Sequence, residues 1–565
     1  MKETLKKHWG YDTFRPMQEE IITSLLAGRD TLAILPTGGG KSVCFQVPAM
    51  MREGICLVVS PLIALMKDQV QNLDRRGIKA LAIYSGMTRR EIDIALDNAV
   101  FGDYKFLYVS PERLHTGLFK TRVARMNVNF LVVDEAHCIS QWGYDFRPDY
   151  LEIAGIRDII GREVPVAALT ATATPDVALD IMKQLQFRQE NLIKGNFERP
   201  NLAYVVRKCE DKMGQVLRIC CGVQGSGVVY VSKRKNAEDL AAFLKAHGVS
   251  AEAYHAGMSR DTRSRAQDSW KSGGTRVIVS TNAFGMGIDK ADVRFVCHYD
   301  MPDTIEGYFQ EAGRAGRDGQ QSYAVLLWNN TDVKSLRQIL KTSYPPLDYI
   351  KDIYQKVYSF LGYSYEEGKG ACVKFELEKF AGMFKLHALS AYYAVKYIET
   401  AGYWTLTESI HIPARIQFIV SRDELYRIQL GSADIDTFIK VLLRMYTGIF
   451  TEYVAIDVER IARFGGYATE VVTDRIRKLA GMNVIKYIPV IDSPMISLNY
   501  ERLDPKNLRL PRSDYDRRLS RRRDRLEKMI GYVEQTDLCR SRYLLKYFGQ
   551  EKSVDCRQCD ICREK

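Results

Sequence analysis

Apolar residues in this chain come in short continuous blocks, separated by longer stretches in which they recur at helical spacing. Thr31-Leu32-Ala33-Ile34, Ile55 to Val59, Leu81 to Tyr84, Phe106 to Val109, Phe130 to Val133 and Val166 to Leu169 are rich in branched side chains. Blocks of this kind, alternating with helical patterns, predict the buried strands of a parallel α/β sheet. A second series follows Asn201: Gly227 to Val231, Ala251 to Tyr254, Arg276 to Ser280, Phe295 to Tyr299 and Tyr323 to Leu327. Two tandem α/β domains are expected, over residues 1–205 and 206–343.

Past Tyr344-Pro345-Pro346 the pattern becomes mostly helical, and residues 344–510 are expected to form a tandem winged-helix-like region. One block, Glu376 to Thr407, has a helix, a turn, the helix Ala388 to Thr400, Gly402 and the strand Tyr403 to Thr407. The other, Asp457 to Pro489, repeats this with Gly465-Gly466, the helix Glu470 to Ala480, Gly481 and the strand Asn483 to Pro489. A helix-turn-helix with a β-wing often sets its second helix on nucleic acid; plain packing against the α/β domains is the other reading.

The chain has 565 residues, 46% of them hydrophobic. It has no apolar run of about 18 residues, so no membrane span is expected. Its charged start, Met1-Lys2-Glu3-Thr4-Leu5-Lys6-Lys7, lacks the apolar stretch of a signal peptide. A cytoplasmic protein is expected, nucleoid-associated in a bacterium. The net charge is +12, and residues 501–565 carry 18 Lys and Arg against 12 Asp and Glu, so half the excess lies there. Arg517, Arg518, Arg521, Arg522, Arg523 and Arg525 form the densest run, which suits either a phosphate backbone or a solvated helix face.

Of 12 cysteines, four stand apart: Cys539, then Cys556, Cys559 and Cys562. Overlapping C-x-x-C units bring three thiolates together from one turn, and Cys539 completes a tetrahedron suited to structural zinc. Residues 511–565 are therefore expected to form a zinc-binding module; an iron–sulfur cluster or four free thiols are the alternatives.

Leu35-Pro36-Thr37-Gly38-Gly39-Gly40-Lys41-Ser42 stands between a strand pattern and an apolar helix pattern, Val43 to Met51. The glycines allow a tight turn whose N–H groups cradle phosphate. Lys41 supplies a charge for the β/γ-phosphates and Ser42 a hydroxyl for Mg²⁺. Leu35 stands where the full phosphate-loop pattern has glycine, a departure found in helicase-type motors. The plain alternative is an ordinary glycine-rich turn. Leu131 to Val133 then lead into Asp134-Glu135-Ala136-His137. A strand end puts both acids at the mouth of a sheet, where Asp134 suits Mg²⁺ and Glu135 suits orienting or deprotonating the attacking water. In Gln310 to Gly319, Arg314 and Arg317 lie three residues apart and suit the charge that develops on a γ-phosphate.

In this setting Trp9-Gly10-Tyr11 with Phe14-Arg15-Pro16 and Gln18 resembles the adenine-reading motif of RecQ-family DNA helicases. Thr37 to Ser42, Asp134 to His137, Leu169-Thr170-Ala171-Thr172-Ala173, Ala283 to Asp289 and Gln310 to Gly319 resemble that family's successive motor motifs, in order. Cys138 to Pro148 resembles its aromatic-rich loop. The resemblance covers Leu5 to about Leu340 and about Leu519 to Cys562. It implies two RecA-like domains and ATP-driven unwinding of duplex DNA, moving 3′ to 5′ on one strand, in repair and recombination, with single-stranded DNA and forked or branched duplex as the partners. It implies that Tyr11 stacks on adenine and that Arg15 and Gln18 hydrogen-bond it. Thr37, Gly38, Gly39, Gly40, Lys41, Ser42 and Asp289 would line the nucleotide, Gln310, Arg314 and Arg317 would face the γ-phosphate, and Trp142, Phe146 and Arg147 would sense DNA. ATP, Mg²⁺ and Zn²⁺ are the implied cofactors, and a monomer is expected.

The order of the C-terminal parts departs from the family. Residues 344–510 separate the motor from the zinc module, and no helicase-and-RNase-D-type domain is expected. The zinc module is expected to fold back on the second α/β domain. Trp404 reads equally as a stacking residue at a fork or as core. The alternative function is a DNA-dependent translocase or branch-remodelling motor without general unwinding.

Overall fold

The computed structural model describes residues 1–565 except 37, 85, 141, 142, 144, 285–289, 413, 421–423, 426–432, 452, 489, 490 and 565. The first sheet contains β1 (Thr31–Ile34), β2 (Ile55–Val59), β3 (Ala80–Ile83), β4 (Phe106–Val109), β5 (Val128–Val133), β6 (Val166–Thr170) and β7 (Leu192–Lys194). Its order is β3-β4-β2-β5-β6-β1-β7, and every neighbouring pair is parallel. β1, β2, β4, β5 and β6 are buried along their whole length, which is why they read as continuous apolar runs. Only β6 separates β1 from β5. The phosphate-loop run and the acid pair therefore leave the same edge of the sheet, one strand apart.

The second sheet, also parallel, contains β8 (Leu202–Lys208), β9 (Ser226–Tyr230), β10 (Ala251–Tyr254), β11 (Val277–Ser280), β12 (Val293–His298) and β13 (Ser322–Trp328). Its order is β10-β11-β9-β12-β13-β8. Among the described residues no helix is long and apolar enough to cross a membrane.

The chain divides into two units, residues 1–337 with 520–565, and residues 338–519. In the first unit the zinc-module tail lies on both sheet domains. Phe548 stacks on Phe197 (ring centroids 5.6 Å) and meets Phe309 at 4.9 Å. Asp560 accepts a hydrogen bond from Val206 N on β8 at 3.4 Å, and Gln558 Nε2 donates to Pro200 O at 2.8 Å. The tail thus folds back on the second α/β domain and also reaches the first.

The second unit is nested rather than serial. β15 (Trp404–Ile412), which continues the first helix-turn-helix block, pairs antiparallel with β19 (Ile491–Leu498), and β14 (Cys372–Lys374) flanks β19 on its other side. Residues between them fold around a separate core that includes Ile416, Phe438, Leu442, Ile461, Ile476 and Ile485. There β16 (Arg415–Phe418) lies between β17 (Val454–Ala455) and β18 (Ile485–Ile488). The second block therefore sits at the far end of the first block's wing. Each block keeps its helix pair, Leu377–Met383 with Ala388–Thr400, and Val458–Gly465 with Thr469–Gly481.

Trp404 is core, 1% exposed. Its ring stacks on Tyr354 at 5.7 Å and its Nε1 donates to Val395 O at 3.0 Å. Trp404→Ala is expected to cost about 3–5 kcal/mol of this domain's stability, read as a lowered urea midpoint for the full chain. A loss under about 1 kcal/mol would contradict the core assignment.

Candidate active site and thiolate cluster

β1 delivers the chain into Leu35 and Pro36, and Gly40 leads directly into the helix Lys41–Met51. Gly38 (φ 81°) and Gly40 (φ 75°) are in the left-handed region, which glycine enters without strain. Leu35, in place of the pattern's first glycine, is 2% exposed and belongs to the core of the first sheet domain. It packs under the turn, where Gly195 leaves room: a Cβ there would lie 3.1 Å from Leu35 Cδ2. The Arg15 guanidinium donates to Gly38 O. Gln18 Nε2 donates to Gly40 O at 3.0 Å, and Gln18 Oε1 accepts from Arg15 N at 2.9 Å. Arg15 and Gln18 thus brace the carbonyls of Gly38 and Gly40, while Gly39 N donates to Pro36 O at 3.0 Å and closes the turn from within. Tyr11, 54% exposed, lines the same cleft.

Asp134 and Glu135 follow β5. Asp134 Oδ2 accepts from Ser60 Oγ at 3.3 Å, Oδ1 accepts from Glu135 N at 3.0 Å, and the Asp134 carbonyl accepts from Tyr150 OH at 3.0 Å. Glu135 takes a left-handed backbone (φ 47°), an uncommon conformation for a residue other than glycine. Its Oε2 lies 3.3 Å from His137 Nδ1, which also meets Thr170 Oγ1 at 2.9 Å, at the end of β6. The two acids differ electrostatically. Burial, and then the Glu135 charge, push Asp134 up to about 6. Burial would raise Glu135 too, but Lys41, His137, Arg314 and Arg147 together hold its carboxyl below the usual range. Burial lowers His137, so its imidazole is the neutral form at pH 7.

The helix Ile305–Ala312 of the second sheet domain leads into the arginine turn. Gln310 and Arg314 are buried, and Gln310, Arg314 and Arg317 line the cleft opposite Lys41, Ser42, Asp134 and Glu135. This cleft has a volume of about 710 Å³. Arg317 reaches the phosphate-loop turn itself: a Cβ on Gly38 would lie 3.2 Å from Arg317 Cγ. The turn is held by residues that the sequence does not flag. Arg199 Nη2 donates to Ala315 O at 2.7 Å and Gly316 O at 2.9 Å, and Asn201 Nδ2 donates to Gly316 O at 2.7 Å. Ser60 and Tyr150 play the same part around Asp134.

Phe146 is half-buried. Arg147 pairs with Asp145 at 3.3 Å, and its backbone N donates to Cys138 O at 2.8 Å. Thr37, Trp142 and Asp289 lie outside the described residues.

The four tail cysteines converge, with all Sγ atoms within 4.8 Å of one another. Backbone N–H groups of Cys556, Cys559 and Cys562 lie 3.3–3.4 Å from the sulfurs of Cys539, Cys556 and Cys559 respectively, and donate to them. Donation to sulfur favours thiolate, so the set fits structural zinc. Arg540, buried beside Cys539, clasps Asp560 at 3.0–3.2 Å and donates to Tyr532 O, which fixes the turn to the preceding helix.

With this geometry established, comparison with known proteins is direct. A DEAD/DEAH box helicase family model matches residues 15–181, and a helicase conserved C-terminal domain model matches 211–319. A RecQ helicase winged-helix domain (Bacteroidota) model matches 416–489, and a RecQ zinc-binding model matches 504–563. The chain is 43% identical over 337 residues to the ATP-dependent DNA helicase RecQ of Haemophilus influenzae, covering 60% of this chain and 54% of that protein. It is 41% identical over 358 residues to the probable ATP-dependent DNA helicase RecS of Bacillus subtilis, covering 62% of this chain and 72% of that one. The chain thus spans about half the length of its RecQ relatives from H. influenzae and Pasteurella multocida. Its fold is similar to that of the DUF1998 helicase MrfA bound to DNA, with a TM-score of 0.51 and 18% identity over 60% of this chain and 50% of that one.

The thiolate set is tested by metal content. Cys559→Ser should bring bound zinc well below about one equivalent per chain, by atomic emission on the purified protein, and lower its solubility. A retained equivalent would overturn the ligand set. The RecQ-type winged-helix and zinc-binding matches, and a 41% identical relative of which 72% is covered, show that the chain belongs to the RecQ family of helicases.

Proposed function

We propose that the chain is an ATP-driven, 3′-to-5′ DNA helicase that moves along single-stranded DNA and separates forked or branched duplex in repair and recombination, acting as a monomer. The observation that carries this reading is the cleft. It collects a phosphate-loop lysine and two acids from one sheet domain, and an arginine pair from the other.

The chemistry follows from the charges. The Gly38–Gly40 turn and Lys41 hold the phosphate chain, with Tyr11 exposed at the cleft to stack on the base. Ser42 and Asp134 would hold Mg²⁺, which would supply positive charge against the phosphates. Glu135, kept ionised by the surrounding cations, orients a water and accepts its proton. Arg314 and Arg317 stabilise charge at the γ-phosphate, a contribution worth about 10³–10⁵ in rate. Because they arrive from the second domain, hydrolysis requires a closed cleft, and opening and closing it advances the DNA.

Lys41→Ala should abolish phosphate release while single-strand affinity, read by fluorescence anisotropy, survives. Retained turnover would contradict the phosphate assignment. The affinity of the wild-type chain should fall with salt at a log–log slope of about −0.7 per neutralised phosphate. Tailed duplexes test direction: release from a 3′ tail only is expected. ATP consumption without strand release would instead favour a non-unwinding translocase.

Asp134 must ionise before it can hold a cation, and its carboxyl sits high, at about 6. At limiting Mg²⁺ the rate should therefore rise with pH through that region. More Mg²⁺ should move the midpoint to lower pH, because the cation binds only the ionised form. A midpoint insensitive to Mg²⁺ would remove Asp134 from the metal.

A further inference from the structure

Arg525 belongs to the basic run that reads, from sequence, as either a phosphate-binding or a solvated helix face. In the structure it faces inward, with its side chain 14% exposed. Its Nη1 donates to Gly143 O at 2.9 Å, in the loop that follows the acid pair. Its Nε lies 3.5 Å from Glu306 Oε1, whose side chain is 4% exposed. The same carboxylate oxygen accepts from Tyr547 OH at 2.8 Å. Glu306 is in the first turn of the helix Ile305–Ala312, which ends at the Arg314 turn. Beside it, Arg522 pairs with Asp303, and Tyr532 meets Tyr308 at 5.4 Å.

We infer that Arg525 is a positioning residue that ties the Gly143 loop to the helix carrying Glu306, so that DNA seated on the loop is felt at Arg314 and Arg317. This rests on the proposed function. A guanidinium fits the task because its divergent N–H groups reach a carbonyl on one domain and a carboxylate on the other. The burial of Glu306 makes the pair consequential: without Arg525 its charge keeps only a tyrosine hydroxyl among the described partners. The loop end is fixed too, since Gly143 N donates to Ser140 O at 2.9 Å and Arg147 N to Cys138 O at 2.8 Å, in the segment that carries His137. A shift of Gly143 therefore acts on two rigid segments, one at the acids and one at the arginines.

The test is steady-state ATP hydrolysis by the full-length zinc-loaded protein, with and without saturating single-stranded DNA. Arg525→Gln should lower the DNA-stimulated kcat about tenfold, a coupling loss of ordinary size for such a linkage. The DNA-free rate, the KM for ATP, the single-strand affinity and the zinc content should stay within about twofold. Arg525→Lys should recover part of the stimulation. Glu306→Gln should act in the same direction, and the double variant should be little worse than either single one. Equal loss of DNA-free and stimulated rates, with no recovery in Arg525→Lys, would make Arg525 a plain structural pin and overturn the inference. Weaker DNA affinity with an unchanged saturated rate would make it a phosphate contact and also overturn it. Normal stimulation in Arg525→Gln, beside a stimulated wild type, overturns the linkage alone. A wild type that DNA does not stimulate overturns the proposed function with it.

Discussion

A carboxylate that is removed from water must be surrounded by positive charge or it takes up a proton. Glu135 is 7% exposed, and the cations that keep it ionised come from separate stretches of chain: Lys41 after β1, Arg147 after β5, and Arg314 from the second sheet domain. The phosphate-loop turn, the aromatic-rich loop and the arginine turn are therefore linked through one buried charge. Asp134, next in the chain, is displaced in the opposite direction because burial and the Glu135 charge dominate there. Two adjacent acids with opposite shifts suit one cation-binding role and one proton-accepting role.

The parts of this arrangement that were legible in the sequence are those in which side-chain type at fixed spacing does the chemistry. Gly38 to Ser42, Asp134-Glu135, Arg314 with Arg317 and the four tail cysteines needed no partner to be noticed. The residues that hold them in place were not legible. Arg199 and Asn201 act on backbone carbonyls of the Ala315–Gly316 turn, and a carbonyl leaves no trace in a sequence. The bracing bonds from Arg15 and Gln18 to the glycine carbonyls are of the same kind. Among strands, those buried on both faces announced themselves. β7 has only three residues, and β8 ends in exposed Arg207 and Lys208, so neither gave a continuous apolar run.

Charge counting misled in a related way. The arginines from Arg517 to Arg525 account for much of the basic excess of the tail. Yet Arg522 and Arg525 take partners within the first unit, Asp303, Glu306 and Gly143 O. Net charge reports how many cations a segment holds; burial decides which of them remain for a polyanion.

The nesting of the second unit follows from where a folded insertion is tolerated. An insertion whose ends lie close together costs little chain entropy and leaves its host intact. Both levels meet that condition. Ile412 and Ile491, which flank the inner domain, are direct partners across an antiparallel ladder. Arg337 and Glu527, on the helices by which the chain leaves and rejoins the first unit, form a two-pronged ion pair at 2.9–3.2 Å. The outer insertion also precedes Cys539, so all four thiolates and the Arg540–Asp560 clasp remain on one short stretch of chain. The metal-binding turn can therefore assemble locally whatever is inserted before it. Serial reading of the sequence finds both helix-turn-helix blocks and misses this order, because the pairing that closes the first block uses a strand from beyond the second.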